Sequence, residues 1–202
     1  MTLPTAPTRG RRRATSFLTA TVVAALAVAG LGPAPQASAA VPAPTLSYVG
    51  AASATGTAKT HVVKVPATVN AGDTLLLFIT AATKSGTMTG PTGWTQLQAR
   101  DGSASRARLW TKKATLADRS ASVTIRTSVN ALTSVSVVAY RSSQGTSSVT
   151  ASASRTIATA ATSHSTPALA VSQANSWLVS YWGGKVSTAS TWTPPTLSLI
   201  HI

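Results

Sequence analysis

The stretch TLLLFITAA, residues 74–82, decides the fold class of this chain. Nearly all of its residues are apolar, and it directly follows Asn70-Ala71-Gly72-Asp73, which has the composition of a turn. A short apolar run that begins at a turn is typical of a central β-strand whose two faces are both covered. We therefore predict that residues 74–82 form such a strand.

Strand-like runs and turns alternate on both sides of this stretch. Thr and Val are frequent and favour strands, whereas the absence of Glu and the scarcity of Lys oppose long surface helices. We predict an all-β, antiparallel, jelly-roll-like β-sandwich of about ten strands. The predicted strands besides 74–82 are residues 46–52, 61–65, 94–100, 105–113, 121–128, 135–141, 149–153, 167–171 and 177–182.

The first 39 residues have the three-part order of a secretory signal peptide. Four arginines at positions 9–13 precede an uncharged, mostly apolar run over 17–32, and Ala37-Ser38-Ala39 is an A-x-A cleavage pattern. The run is shorter than the ~20 residues that span a bilayer. Thr15 and Ser16 stand where a twin-arginine signal has apolar residues, which favours the general secretory route. We expect a secreted protein, with cell-wall association as an option and no membrane span after cleavage.

The remainder divides into a short flexible lead over 40–45, one module over 46–196 and a foreign tail over 197–202. The tail, LSLIHI, is the translation of CTG TCT CTT ATA CAC ATC, which resembles a transposon-end adapter of sequencing libraries. Two of the five isoleucines after residue 39 fall in its last three positions. We expect the genuine chain to continue past Thr196, which would leave the module truncated. The alternative is a native terminal strand.

Charged residues after position 39 exclude several chemistries. Residues 40–202 carry 13 Lys and Arg but three acids, Asp73, Asp101 and Asp118, and no cysteine. Each acid lies in a turn sequence, where Asp commonly caps the backbone. This pattern opposes a glycosidase pair and a calcium site, and His61 and His164 are too few for zinc. We expect no catalytic residue, metal or cofactor.

Tryptophans next to loops are candidate carbohydrate contacts. Trp94, Trp182 and Trp192 each adjoin a loop, where an indole ring can support a sugar ring. Packing is the favoured alternative, because a small sandwich needs large side chains in its core.

The strand from Arg106 to Lys113 holds the densest positive charge. Alternation places Arg106, Arg108, Trp110 and Lys112 on one face, so Trp110 either caps the core or lies exposed among cations. Basic residues interleaved with an aromatic can bind a polyanion, and these four residues with Lys113 are our candidates. The favoured alternative is a solvated face that opposes edge-to-edge aggregation. An exported protein would meet anionic cell-wall polymer or polysaccharide, so no nucleic acid is expected.

Six runs of the sequence resemble a β-sandwich module of actinobacterial exported proteins. They are SYVGAAS (47–53), VPATVNAGDTLLLFITA (65–81), GPTGWTQL (90–97), LWTKKAT (109–115), VVAYRS (137–142) and SWLVSYW (176–182). The resemblance implies a module near the N-terminus of a long chain that often continues into PKD-like or fibronectin-like repeats, and it carries over no catalytic residue. We therefore expect a non-catalytic module for adhesion, carbohydrate contact or spacing. The alternative is an accessory module of an extracellular enzyme whose catalytic domain lies downstream.

Overall fold

The structure, a computed structural model, describes residues 43–145, 147–158 and 161–185. The predicted signal peptide with Ala37 and Ala39, the candidate Trp192 and the predicted tail lie outside these ranges. The described residues form an all-β, antiparallel fold, as predicted. Its strands are β1 Leu46–Lys64, β2 Thr74–Ala81, β3 Met88–Thr89, β4 Thr95–Asp101, β5 Arg106–Lys113 and β6 Ser122–Ser142, with a 3-10 turn over Leu116–Asp118. No helix in these ranges is long and apolar enough to cross a membrane.

The sheet places β2 at its centre. Strand order is β1-β6-β2-β5-β4, and β3 pairs with a separate part of β6. All eight residues of β2 are buried, so the apolar stretch that opened the sequence analysis is a central strand covered on both faces. The prediction for this stretch is confirmed.

The two long strands, β1 and β6, join two parts of the sheet. Their ladder runs from Leu46 opposite Ser142 to Lys64 opposite Ser122. It contains an irregularity at which residues 127–130 of β6 lie opposite the single residue 59 of β1. Extra residues of this kind bend a strand. On one side of the irregularity β6 pairs with β2, and on the other it pairs with β3. We call β3 with residues 60–64 of β1 and 122–127 of β6 the small part, and the rest of the sheet the large part.

One apolar core is shared by both parts, as in a sandwich. The inward-facing residues of β2, Leu75, Leu77 and Ile79, are fully buried. They belong to one cluster with Val63 and Ile125 of the small part. Burying each such side chain contributes about 1.5–3 kcal/mol. With no cysteine in the chain, no disulfide adds to this stabilisation.

The opposite face of β2 is covered by residues 147–158 and 161–185, which we call the strap. Tyr181 of the strap stacks on Phe78 at 4.6 Å between ring centroids, and its hydroxyl lies 3.0 Å from Thr80 Oγ1. The strap contains the predicted strands 149–153, 167–171 and 177–182, but its described residues belong to no strand. These predictions are wrong, because alternation makes a strand only where a neighbour supplies backbone partners, and the strap meets the sheet through side chains.

Candidate functional site

The basic strand β5 faces inward. Trp110 lies opposite Leu77 and Arg108 lies opposite Ile79, so both share the core face of the sheet. Trp110 is only 3% exposed and belongs to the core cluster. Trp110 therefore packs in the core and does not lie exposed among the cations.

The cations on either side of Trp110 are engaged within the protein. Arg108 Nη1 donates to Asp101 Oδ1 at 2.7 Å, and Lys112 Nζ donates to Asp118 Oδ1 at 2.6 Å. Arg106 donates to the carbonyl of Gly86 and lies 3.7 Å from Asp101. These three candidate polyanion contacts thus have internal acceptors, and of the five only Lys113 is an exposed residue.

Each of the three aspartates accepts hydrogen bonds that join separate segments of the fold. In Asp73, burial disfavours the charge, but hydrogen bonds from Arg141 and the Asn70 N–H outweigh it and lower the pKa. In Asp118, burial is likewise outweighed by bonds from Lys112 and Thr115, so its pKa is lowered too. In Asp101, the bond from Arg108 lowers the pKa against a smaller effect of burial. All three carboxylates stay ionised in structural roles.

His61 is buried in the bend between the two parts of the sheet. Its Nε2 lies 3.2 Å from Thr133 Oγ1 and 3.4 Å from Thr127 Oγ1. Burial lowers its pKa, and a backbone hydrogen bond with Ala58 opposes that shift only in part. The described residues hold no group of three His, Cys, Asp or Glu side chains that could bind a metal. His61 therefore serves as a neutral polar group within the fold.

The two candidate tryptophans within the described residues are both half-buried. Trp94 is half-buried and packs against the core cluster. Trp182 is half-buried in the strap. The structure thus brings neither ring out onto an open platform, and the two do not appear together in any ring contact between described residues.

Sequence reasoning missed an aromatic row on the outer face of the sheet. Tyr48 and Tyr140 are opposite each other in the β1–β6 ladder, with ring centroids 6.2 Å apart. Tyr140 in turn meets Trp177 edge-on at 6.0 Å. Tyr48 is 58% exposed and Trp177 is 51% exposed. No signal in the sequence joins these residues, because their contact depends on the ladder register and on the path of the strap.

The small part presents cations that pair with no carboxylate among the described residues. Thr60, Val62 and Lys64 alternate on the outside of β1, and Arg126 of β6 lies opposite Thr60 on that same face. Lys64 and Arg126 are exposed, and Val62 is 46% exposed. Strand spacing puts Lys64 and Arg126 roughly 13 Å apart. We call the outward side of residues 60–64 and 122–126 the basic face.

Comparison of the chain with protein-family models, with curated proteins and with solved structures gives no match.

Proposed function

We propose that this chain is a non-catalytic module of an exported protein and that it contacts an anionic polymer of the cell surface. The observation that carries the proposal is that the cations far outnumber the carboxylates that could pair with them. Three carboxylates are occupied by Arg141, Arg108 and Lys112, while 13 cations follow residue 39. Most of the positive charge therefore faces solvent without a partner of opposite sign.

The non-catalytic part of the proposal is supported by the roles of the ionisable groups. General acid–base catalysis needs a carboxyl or imidazole within reach of a substrate. Asp73 and Asp118 are buried and His61 lies in the core side of the bend. Asp101, half exposed, is bonded to Arg108. These groups stabilise the fold and are not arranged around a common point.

The basic face is the region of the described chain that best suits a polymer contact. Lys64 and Arg126 extend from a pair of strands whose other outward residues are Thr60, Val62, Ser122 and Thr124. A strand surface with spaced cations can contact a repeating anionic chain at several points, and such binding releases counterions. Arg106, Arg108 and Lys112 of β5 suit this role less well, because they are paired with Asp101 and Asp118.

Cosedimentation with isolated bacterial cell walls tests this proposal. The purified protein should pellet with walls at low salt and should be released as salt rises, because counterion release weakens such binding steeply. Walls from which the anionic polymer has been extracted should retain little protein. Retention that does not change with salt, or that survives the extraction, would contradict the proposal.

The aromatic row gives a second candidate function, contact with an uncharged polysaccharide. Tyr48 and Trp177 expose more than half of their surface beside Tyr140, and aromatic rings bind sugars by apolar contact together with a polar edge. Affinity electrophoresis in gels with soluble polysaccharides tests this candidate. Retardation that Trp177→Ala abolishes would support it, and equal mobility in all gels would exclude it.

The alternative placement of the module, beside the catalytic domain of an extracellular enzyme, is compatible with either contact. Reading the gene past the codon for Thr196 decides between the two placements. A hydrolase or oxidase domain downstream would make this an accessory module. Repeat domains downstream would instead favour an adhesin or spacer.

A further inference from the structure

A cavity of about 840 Å³ lies between the outer face of the sheet and the strap. Leu76 and Phe78 of β2 and Leu109 of β5 line it from the sheet, and Trp177 and Tyr181 line it from the strap. Its volume falls within the range of small-molecule pockets, about 300–1,000 Å³. Such aliphatic and aromatic walls favour a ligand with a long apolar portion.

The charges around this cavity have one sign. Among the described residues, the charged residues at its wall are Arg100, Arg108, Arg155 and Lys185. Arg108 is already paired with Asp101. Arg100 Nε donates to the carbonyl of Ser154 at 3.1 Å, which places it beside the next residue, Arg155. Arg155 Nη2 donates to Ser165 Oγ at 2.9 Å, and both arginines line the same apolar space. Two cations that no carboxylate among the described residues pairs with favour a negatively charged head group there.

The strap can open without loss of sheet hydrogen bonds. It is held by side chains, such as Gln98 Nε2 donating to Ser152 Oγ at 2.8 Å and Ser154 Oγ donating to Gln98 Oε1 at 2.6 Å. Tyr181 adds the ring contact with Phe78 and the hydroxyl contact with Thr80. Segments held by few contacts open at low free-energy cost, which gives an elongated ligand a route to the cavity.

We propose that this cavity binds a long-chain carboxylate. The alkyl chain lies between Leu76, Phe78 and Leu109 on one side and Tyr181 on the other, and the carboxylate lies at Arg100 and Arg155. The site is separate from the basic face of the small part, so either proposal can fail without the other.

Displacement of fluorescent cis-parinaric acid from the purified protein tests this site. Palmitate should displace the probe, while butyrate should not, because it lacks the apolar chain. Hexadecanol, with a similar chain and no charge, should compete more weakly than palmitate. The double variant Arg100→Gln/Arg155→Gln should bind palmitate about tenfold more weakly and should bind hexadecanol as the unmodified protein does.

Two variants fill the cavity from opposite sides and locate the bound probe. Ala107→Phe fills it from β5, and Ala151→Phe fills it from the strap, whose described residues join no strand. Both should abolish binding of the probe, and circular dichroism should show an unchanged sheet in at least the strap variant. Absence of probe binding to the unmodified protein would overturn the proposal. Binding that a folded Ala151→Phe variant retains would also overturn it, as would equal palmitate affinity in the double arginine variant.

Discussion

Arg141 donates two hydrogen bonds to the carboxylate of Asp73, Nε to Oδ1 and Nη2 to Oδ2, each 2.8 Å long. The same guanidinium donates to the carbonyl of Thr68 at 3.0 Å, and the Asn70 N–H donates to Asp73 Oδ2 at 2.7 Å. One side chain at the end of β6 thereby fixes the turn that starts β2. The Asp73 side chain is only 2% exposed, so its charge depends on these partners.

Replacing the arginine should destabilise the protein far more than replacing an arginine on the strap. Arg141→Gln leaves the buried Asp73 carboxylate without its cation, and hydrogen bonds to charged groups contribute about 1.5–3 kcal/mol. Urea unfolding followed by circular dichroism measures the loss. Arg155→Gln is the matched control and should change the free energy of unfolding by less than about 0.5 kcal/mol. Equal midpoints for the two variants would contradict this role of Arg141.

Acid should destabilise the fold in two steps. The folded-state pKa values of His61, Asp73 and Asp118 are all lowered, so the unfolded chain takes up these protons first as the pH falls. The stability that His61 contributes is lost below its ordinary value of 6.5, and that of the two aspartates is lost below 3.8. His61→Gln should flatten the loss of stability between about pH 7.5 and pH 5. An unchanged slope in urea titrations of this variant over that interval would show that His61 is not responsible.

Gly90 should tolerate no side chain, because it packs against Trp110. A Cβ added at Gly90 would lie 2.6 Å from Trp110 Cε2, whereas one added at Gly56 would meet nothing within 4 Å. Overpacking of a core costs about 1–3 kcal/mol. Gly90→Ala should therefore lower the thermal midpoint by several degrees, and the control Gly56→Ala should not. A thermal midpoint for Gly90→Ala equal to that of the unmodified protein would contradict the tight packing of Gly90 against Trp110.

Tyr181 should control how often the strap leaves the sheet. Tyr181→Ala removes both the ring stacked on Phe78 and the hydroxyl near Thr80, so trypsin should cleave after Arg155 several times faster. Tyr181→Phe keeps the ring and should stay much closer to the unmodified protein. Identical cleavage rates in all three proteins would show that the strap is held by other contacts.

The sequence predicted the fold class and the central strand because both depend on local patterns. The apolar run at 74–82 has no polar side, and the observed strand Thr74–Ala81 differs from it by one residue. The two long strands were each predicted as two short ones, residues 46–52 and 61–65 for β1 and residues 121–128 and 135–141 for β6. The ladder between the two strands, in which Thr57 lies opposite Leu132, supplies backbone partners to the residues in between and joins the segments.

The candidate site was less accessible to sequence reasoning. Alternation grouped Trp110 with Arg106, Arg108 and Lys112, but it could not show that this face points inward. The reason is tertiary: Asp101 at the end of β4 and Asp118 in the 3-10 turn after β5 neutralise the cations at the margin of the core. The cations that remain on the basic face, Lys64 and Arg126, are 62 positions apart in sequence and meet only through the β1–β6 register.

A comparison of two double variants in the cell-wall assay tests the central claim most directly. Lys64→Gln/Arg126→Gln removes two charges from the basic face, and Lys84→Gln/Lys113→Gln removes two exposed charges elsewhere, so both proteins have the same net charge. We predict that the first variant loses most of its retention at low salt and shows a shallower salt dependence, because fewer counterions are released. The second should bind nearly as the unmodified protein does. Equal retention of the two variants would contradict the claim that the basic face holds the polymer.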